Sequence, residues 1–267
     1  MRVGREYYRG AETAAYEGVH GDIFNPIEQE RLRSTLAEAV SLVQTGASPL
    51  AALDYGSGSG NLTGHLIAMG LDTLSVDVSA GFLDLVAKRF GRTGLSHTRR
   101  VNGQDLADLP SATFDLVATY SVLHHVPDYL RIVRELARVV KPRGILYIDH
   151  EVTETYWQRP PVYREFVRRV GGRPLWRRVL RVLLDVRGYP HCLRRIANPR
   201  YKREGDIHVW PDDHIEWDRI EDLLGREGLD IVLKKDYLLF RDGYKTDVYD
   251  EYRDRCADER VLAARKR

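Results

Sequence analysis

The sequence reads Leu50-Ala51-Ala52-Leu53-Asp54-Tyr55-Gly56-Ser57-Gly58-Ser59-Gly60-Asn61-Leu62-Thr63 over the stretch that decides its fold. The apolar residues at its start predict a buried strand, and three glycines at alternate positions predict a tight turn. Apolar residues at helical spacing come next, so a helix is predicted directly after the turn. Glycine lacks a Cβ, so the backbone can pass close to a ligand. The N–H groups that open the helix favour a polar or negatively charged ligand group.

The spacing of the glycines separates three classes of ligand. A phosphate-binding P-loop requires Lys and Ser/Thr after its last glycine, but Gly60 is followed by Asn61. The dinucleotide fingerprint requires a third glycine at a position that holds Asn61 or Thr63, depending on the register. The remaining pattern, Asp54-x-Gly56-x-Gly58-x-Gly60, resembles the glycine loop of class I S-adenosylmethionine-dependent methyltransferases. A structural turn in an ordinary α/β protein is the alternative.

Length and composition bound the class of protein. A chain of 267 residues fits one large domain, or one domain with an insertion. Cys192 and Cys256 show no zinc spacing, and the N-terminus lacks the apolar core of a signal peptide, so a cytoplasmic location is expected. Lys and Arg (41) nearly balance Asp and Glu (39) overall. Residues 159–203, however, hold 14 basic and 2 acidic residues, which marks them as a separate unit.

Two further strands are predicted to end in carboxylates. Residues 72–79 read as a strand that ends at Asp77, where a carboxylate is placed to accept hydrogen bonds from a ribose diol. A helix N-cap is the alternative for this acid. Residues 97–102 read as a weak third strand, after which Asp105 is either an acceptor for the adenine amine or a turn residue. Val78 or Leu106 would pack against the adenine ring.

The run FDLVATYSVLHHVPDYLRIVRELARVVKPRGILYIDHE at residues 114–151 predicts a fourth strand, a helix and a fifth strand. It is similar to the ubiquinone/menaquinone-methyltransferase-like branch of the class I family. With the glycine loop and Asp77, the resemblance covers about residues 50–150. It implies an α/β, Rossmann-like, seven-stranded and mostly parallel sheet with helices on both faces. It also implies S-adenosylmethionine as cofactor and S-adenosylhomocysteine as product. The cofactor-binding residues would be Asp54, Gly56, Ser57, Gly58, Gly60, Asn61, Asp77, Val78, Asp105, Leu106, Tyr120 and Ser121.

The paired histidines are the first candidates for catalysis. His124 and His125 follow the fourth strand, and the resemblance places them beside the reacting methyl group, with His125 ahead of His124. Imidazole titrates near neutral pH, so either ring could act as a base or bind the acceptor. Alternatively, one histidine caps a helix and the other packs inside. Tyr16 is a further catalytic candidate.

Residues 1–46 are predicted to form an N-terminal lid segment and helix, with Asn25 as N-cap, Pro26 in the first turn and a stop near Gly46. Tyr8 and Tyr16 are expected to contact the acceptor if this segment closes over the ligand. The alternative is that its aromatic residues plug the end of the sheet. Residues 47–150 are then the cofactor-binding core.

Residues 151–211 are predicted to be a basic helical cap insertion with helices at 162–170 and 174–184. The second helix sets Trp176 against Arg177, Arg178 and Arg181 on its opposite face. It suits a cap over an acceptor, which would be acidic or phosphate-bearing. A helix on an anionic membrane surface is the alternative, and a nucleic-acid interface is the weakest reading.

Residues 212–267 are expected to complete the core sheet. His208, Trp210 and His214 are predicted to contact the acceptor, and no metal site is predicted because the spacing of the acids and histidines here suits turns. Asp212 or Asp213 would cap a helix that ends at Gly225. Strands are predicted at residues 229–233 and 244–249, followed by a surface helix at residues 250–267.

Methyl transfer to a small-molecule acceptor through an O, N or C atom, in a biosynthetic pathway, is the function predicted. One alternative is a non-methylating use of the same cofactor, such as cyclisation. Another is a lipid or quinone methyltransferase at the membrane surface, and a third is a non-catalytic cofactor-binding subunit. The protein is expected to be a monomer or a homodimer.

Overall fold

The computed structural model describes residues 17–18, 20–171 and 206–267 of the chain. Its helices are α1 (Gly21–Phe24), α2 (Pro26–Ser41), α3 (Asn61–Ala68), α4 (Ala80–Phe90), α5 (Tyr129–Val139), α6 (Glu154–Gln158), α7 (Pro161–Arg169), α8 (Trp217–Arg226) and α9 (Thr246–Tyr252). Its strands are β1 (Ala51–Tyr55), β2 (Asp72–Asp77), β3 (Ser96–Arg100), β4 (Phe114–Tyr120), β5 (Val140–Val152), β6 (Val209–Trp210), β7 (Asp213–His214), β8 (Leu229–Tyr237) and β9 (Glu259–Lys266). Turns of 3-10 helix span Gly91–Thr93 and Leu123–His125.

Seven of the described strands form one sheet in the order β3-β2-β1-β4-β5-β9-β8. The pairs from β3 to β5 are parallel, whereas β9 is antiparallel to both β5 and β8. This arrangement confirms the Rossmann-like, mostly parallel sheet. Because β1, β2 and β4 run in the same direction, their carboxyl ends meet at one edge, where open α/β sheets bind ligands.

Helices cover both faces of the sheet, as β4 shows. Its Leu116 and Ala118 pack in a buried cluster with side chains of α2 and α3. Val117, which points to the other face, packs with side chains of α5 and α8. Strands covered on both faces read as continuous apolar runs, and β4 is buried over its whole length.

The helix start predicted at Asn25 and Pro26 is confirmed in α2. The Asn25 side chain accepts a hydrogen bond from Glu28 N at 2.9 Å, and Pro26 occupies the first helical turn. Helix α2 ends at Ser41, before the predicted stop. The Ser79 hydroxyl accepts a hydrogen bond from Phe82 N at 3.4 Å and caps α4.

The C-terminal predictions are wrong in two places. Residues predicted as a strand at 244–249 lie mostly in α9, which buries Val248, Tyr249 and Tyr252 on one helical face. The predicted surface helix at 250–267 is instead the end of α9 and β9, an interior strand of the sheet. Val261 to Ala264 are fully buried there. A strand that is buried on both faces does not alternate between apolar and polar residues. The short apolar run of β9 between charged residues therefore resembles the pattern of a helix.

The loop before α8 also differs from its prediction. Residues 209–214 form the two-stranded β6–β7 hairpin, so Asp213 lies in a strand. Helix α8 begins at Trp217, and its N-cap Glu216 makes no side-chain capping hydrogen bond. The predicted helix at 174–184 and the lid residues Tyr8 and Tyr16 lie outside the described residues.

Candidate functional site

The glycine loop turns sharply between β1 and α3, beside the end of β2. Gly56 N and Ser57 N both donate to the Val76 carbonyl of β2, at 2.8 and 3.1 Å. Gly56, Gly58 and Gly60 have φ angles of +74°, +50° and +94°, a region that residues with a Cβ rarely occupy. The three glycines are therefore required by the backbone.

Asp77 is tied to this loop through the backbone. One carboxylate oxygen accepts a hydrogen bond from Gly58 N at 3.0 Å, and the other accepts one from Ser79 N at 2.8 Å. Burial raises the pKa of Asp77, and the backbone N–H groups of Ser79 and Gly58 oppose that rise. Asp77 thus holds the glycine loop in place. Its remaining lone pairs are the acceptors that a ribose diol would use.

Asp54 lies at the end of β1 and is 1% exposed. Its carboxylate accepts a 2.6 Å hydrogen bond from the Thr63 hydroxyl, which lies 2.7 Å from Ser75 Oγ. Burial raises the pKa of Asp54 to about 7, although the hydrogen bonds from Thr63 lower it.

Replacing Asp54 with asparagine is expected to change how stability depends on pH. The folded pKa of about 7 lies above the ordinary value of 3.8, so Asp54 contributes stability that is fully present below about pH 4. That contribution is lost as pH rises through the folded pKa. In urea titrations, the wild-type free energy of unfolding should therefore fall between about pH 4 and pH 7. The D54N variant has no carboxyl group at this position, so its free energy of unfolding should not show this contribution to the fall. Asp84→Asn, at an exposed position of α4, is the control and should keep the wild-type slope. Parallel curves for wild type and D54N would contradict the assignment.

A cavity lies between the glycine loop, the end of β4 and α1. It is lined by Ile23, Phe24, Asp54, Gly56, Ser57, Gly58, Ser59, Asn61, Leu62, Tyr120 and Ser121. Ser57 Oγ and Asn61 Nδ2 are buried there and have no hydrogen-bond partner among the described residues. Such orphaned polar atoms suit a polar ligand, so the residues present fit the cofactor that the sequence implies. We call this space the cofactor cavity.

Seven of the predicted cofactor residues line the cofactor cavity: Asp54, Gly56, Ser57, Gly58, Asn61, Tyr120 and Ser121. Gly60 instead caps α3, where an added Cβ would lie 2.8 Å from the Phe90 ring. Ile23 and Phe24 also line the cavity but were missed, because α1 is too short to give a periodic signal.

The residues predicted to hold adenine do not line the cofactor cavity. The Asn102 amide donates to Asp105 at 2.9 Å, and Arg131 forms an ion pair with it at 3.0 Å. The hydrogen bond from Asn102 is the main cause that lowers the pKa of Asp105. Leu106 is 1% exposed and packs in the core, while the Val78 carbonyl accepts a hydrogen bond from Arg100. Their role toward adenine stays a prediction.

Tyr120 is the last residue of β4 and contacts a buried acid, and Ser121 follows it. The Tyr120 hydroxyl donates to Glu28 at 2.9 Å, and burial raises the pKa of Glu28 to about 7. Ser121 has a φ of +58°, which is strained for a residue with a side chain. Its N–H donates to the Asp149 carbonyl at 3.0 Å. Backbone strain of this kind concentrates at functional sites.

A second cavity, of about 260 Å³, shares Ile23 and Ser121 with the cofactor cavity. Its wall consists mainly of histidines, acids and aromatic residues. They are His20, Asp22, Ile23, Ser121, His124, His125, His150, Glu151, Val152, Tyr156, Trp157, Asp206, His208, Val209, Arg241 and Glu259. We call this space the histidine cavity.

Besides Ser121, three residues predicted to act in catalysis or to contact the acceptor line the histidine cavity, namely His124, His125 and His208. His214 lines a separate surface pocket beside α5, which His208 also borders. Trp210 lines none of these three cavities. The contact of Trp210 and His214 with an acceptor stays a prediction.

Glu151 holds the turn that carries the two histidines. It is 2% exposed, and one of its oxygens accepts hydrogen bonds from Val122 N and Leu123 N, at 3.1 and 2.7 Å. The other oxygen lies 2.9 Å from His124 Nδ1. Glu151 and the neighbouring His150 were missed. Their place at the carboxyl end of β5 was a signal that could have revealed them.

His150 is a buried imidazole, and burial disfavours its charged form. Burial lowers its pKa well below the ordinary value, and the nearby positive charge of Arg31 adds to the effect. Its ring lies 4.8 Å from the Tyr120 ring, and its Nε2 has no hydrogen-bond partner among the described residues. Neutral imidazole can donate or accept a hydrogen bond toward a ligand in the cavity.

The far wall carries a buried cluster of charge. Arg241 lies 3.5 Å from Asp22 and 3.7 Å from both Asp258 and Glu259. Burial raises the pKa of Glu259 well above its ordinary value, with repulsion from Asp258 as the next cause. Sequence reasoning missed Arg241 and Glu259, because it assigned the last strands to other residues.

The seven-stranded sheet matches the Rossmann-like fold of solved methyltransferases. Its glycine loop joins β1 to α3, and an acid ends β2. Residues 53–148 match the family model described as a methyltransferase domain. Residues 53–148 are therefore similar to a methyltransferase domain, and a solved methyltransferase of similar fold holds S-adenosylhomocysteine.

Relatives with curated names agree with this family. The ubiquinone biosynthesis O-methyltransferase of Methylococcus capsulatus is 28% identical over 181 residues, which cover 67% of this chain and 65% of that protein. The enzyme of the same name from Rhizobium johnstonii is 29% identical over 140 residues, 51% of this chain and 55% of its own. The chain thus spans between about half and two thirds of these relatives' lengths.

A solved structure has a similar fold. Magnesium protoporphyrin IX methyltransferase from Synechocystis, with bound S-adenosylhomocysteine, has a TM-score of 0.58 at 16% identity and covers 100% of this chain and 99% of its own. Among the described residues, no helix has both the length and the apolar character needed to cross a bilayer.

Proposed function

We propose that this protein transfers the methyl group of S-adenosylmethionine to a small molecule held in the histidine cavity. The observation that carries the proposal is the contact between the two cavities, which share Ile23 and Ser121. A donor beside the glycine loop and an acceptor beside the histidines would meet at these residues. Holding two reactants in line is the main contribution that a protein makes to such a reaction.

The cofactor supplies an electrophilic methyl group when bound, so the residues of the chain mainly orient and desolvate the reactants. Asp77 and the glycine loop would hold the nucleoside part. The Tyr120–Ser121 backbone would border the methionine part, and Ile23 and Phe24 would exclude water from it. His124 and His125 border the space for the acceptor and are the residues proposed to handle its hydroxyl or amine group.

A hydroxyl acceptor is the first candidate, because the curated relatives are named as O-methyltransferases of ubiquinone biosynthesis. The histidine cavity fits a polar acceptor, since imidazoles and carboxylates dominate its described wall. An acidic acceptor, association with a membrane surface, and the oligomeric state remain predictions based on the sequence.

Purified protein, incubated with methyl-labelled S-adenosylmethionine and a panel of phenols, alcohols and amines, is expected to form S-adenosylhomocysteine and a labelled acceptor. Mass spectrometry of both products is the measurement. Formation of methylthioadenosine instead would show a different use of the sulfonium. Cofactor binding without turnover across the panel would favour a non-catalytic subunit.

A further inference from the structure

Three potential metal ligands lie close together in the wall of the histidine cavity. His124, His125 and Asp206 each offer one ligand atom, and these atoms lie within 4.8 Å of one another. We propose that these three side chains bind a divalent transition metal ion of the zinc type. The sequence did not predict this set, because Asp206 lies far along the chain from the two histidines.

Hydrogen bonds of the backbone fix Asp206 beside the histidine turn. Ile207 N and His208 N both donate to the His124 carbonyl, at 2.8 and 3.1 Å. The His208 ring adds a third link, since its Nε2 lies 3.0 Å from the Val126 carbonyl oxygen. The two segments that carry the ligands are therefore held together by contacts other than the ligands themselves.

Distances within the set suit a metal ion. His125 Nδ1 lies 3.3 Å from an oxygen of Asp206. Two ligands bound tetrahedrally at about 2.0–2.1 Å from zinc are separated by about 3.3 Å, so this pair is already at a bonding separation. The His125 and Asp206 side chains are 34% and 18% exposed, so an ion from solvent could reach both.

Glu151 supplies the orienting contact that metal-binding histidines usually have. It lies 2.9 Å from His124 Nδ1, so Nε2 of that ring would be the coordinating atom. A carboxylate that receives the other N–H of a ligating histidine fixes its tautomer and raises its basicity. Glu151 is 2% exposed and is itself fixed by two backbone N–H groups, so it cannot swing away easily.

The donor set indicates which ion would bind and what it would do. Two imidazoles and one carboxylate suit zinc or a similar transition metal, whereas magnesium and calcium prefer oxygen ligands. Three protein ligands leave a coordination position open. If the proposed function holds, an acceptor oxygen in the histidine cavity would occupy that position. The ion would then lower the pKa of the bound hydroxyl, whose proton would pass to solvent.

The test uses the full chain, treated with a chelator and then titrated with Zn²⁺ alone by calorimetry. Co²⁺ is titrated in parallel, with its visible absorption as a spectroscopic measure of coordination by nitrogen and oxygen. We expect one site with a Kd in the micromolar range or tighter. His125→Ala and Asp206→Asn should weaken it at least about tenfold, and Glu151→Gln about 10- to 100-fold.

His97→Ala is the matched control. His97 lies in β3, an edge strand of the sheet, and its exposed side chain pairs with Asp72 at 3.0 Å. This variant should bind Zn²⁺ as the wild type does. Absence of binding, or equal binding by wild type, H125A and D206N, would overturn the proposed site. Titration of the same samples with S-adenosylhomocysteine separates the two proposals. If the wild type binds S-adenosylhomocysteine but not Zn²⁺, only the metal site is rejected. If the wild type binds neither, the proposed function is rejected as well.

Discussion

Replacing Asp77 with asparagine is expected to weaken the binding of S-adenosylhomocysteine by about 10- to 100-fold. Both carboxylate oxygens of Asp77 accept hydrogen bonds from backbone N–H groups, one of them from Gly58 in the loop. An asparagine must turn its NH₂ group toward one of these donors, which leaves a buried N–H without an acceptor. Hydrogen bonds to charged groups contribute about 1.5–3 kcal/mol each, which corresponds to the expected change in affinity.

Asp72→Asn is the matched control for Asp77→Asn. Asp72 lies at the other end of β2, and its side chain is 44% exposed. Asp72→Asn therefore changes the net charge by the same amount as Asp77→Asn, in the same strand, but without contact with the glycine loop. Calorimetric titration should give D72N the wild-type affinity. Equal affinities of D77N and wild type would remove Asp77 from the cofactor site.

Replacing Gly56 with alanine is expected to destabilise the protein by about 2–5 kcal/mol. A Cβ at this position would lie 2.5 Å from Val122 Cγ2, and overpacking costs about 1–3 kcal/mol. The φ angle of +74° adds the cost of a left-handed conformation, about 1–2 kcal/mol for a residue with a side chain. Urea unfolding is the measurement.

Gly70→Ala isolates the backbone part of this effect. Gly70 has a φ of +83°, but an added Cβ would have no atom within 4 Å, so only about 1–2 kcal/mol should be lost. Adding Val122→Ala to G56A should recover part of the loss, because it removes the methyl groups that clash. Equal destabilisation by G56A and G70A would show that the contact with Val122 is unimportant.

The half of the fold that carries the glycine loop was predictable, because its signals are local. The strand, glycine turn and helix around Gly56–Gly60 lie next to one another in the sequence, and so do β4 and α5. Steric rules for glycine and the apolar period of each element act over these short distances. The register of parallel strands then brings their carboxyl ends together without further information.

The C-terminal half was predicted poorly, because its structure depends on contacts between distant residues. Strand β9 is interior only because β8 and β5 flank it, and nothing in its own residues reports those neighbours. In α9, tyrosine and valine favour a strand by propensity, but one helical face of these side chains packs against α7 in a separate buried cluster. Tertiary packing overrides propensity in such cases.

The histidine cavity shows the same division. His124 and His125 follow a predicted strand, so their place at the sheet edge followed from the sequence. Asp206 and Arg241 reach that edge through long connections, and their approach depends on how those segments close. Asp77 illustrates a further limit. The sequence predicted its position, but only the structure shows that it also locks the glycine loop through Gly58.

Titration of S-adenosylhomocysteine into the wild-type chain by calorimetry tests the central claim most directly, since that claim is that the glycine loop binds an adenosyl cofactor. One binding site per chain is the predicted result, with S-adenosylmethionine competing for it. No detectable heat with either compound, from protein shown to be folded, would contradict the claim.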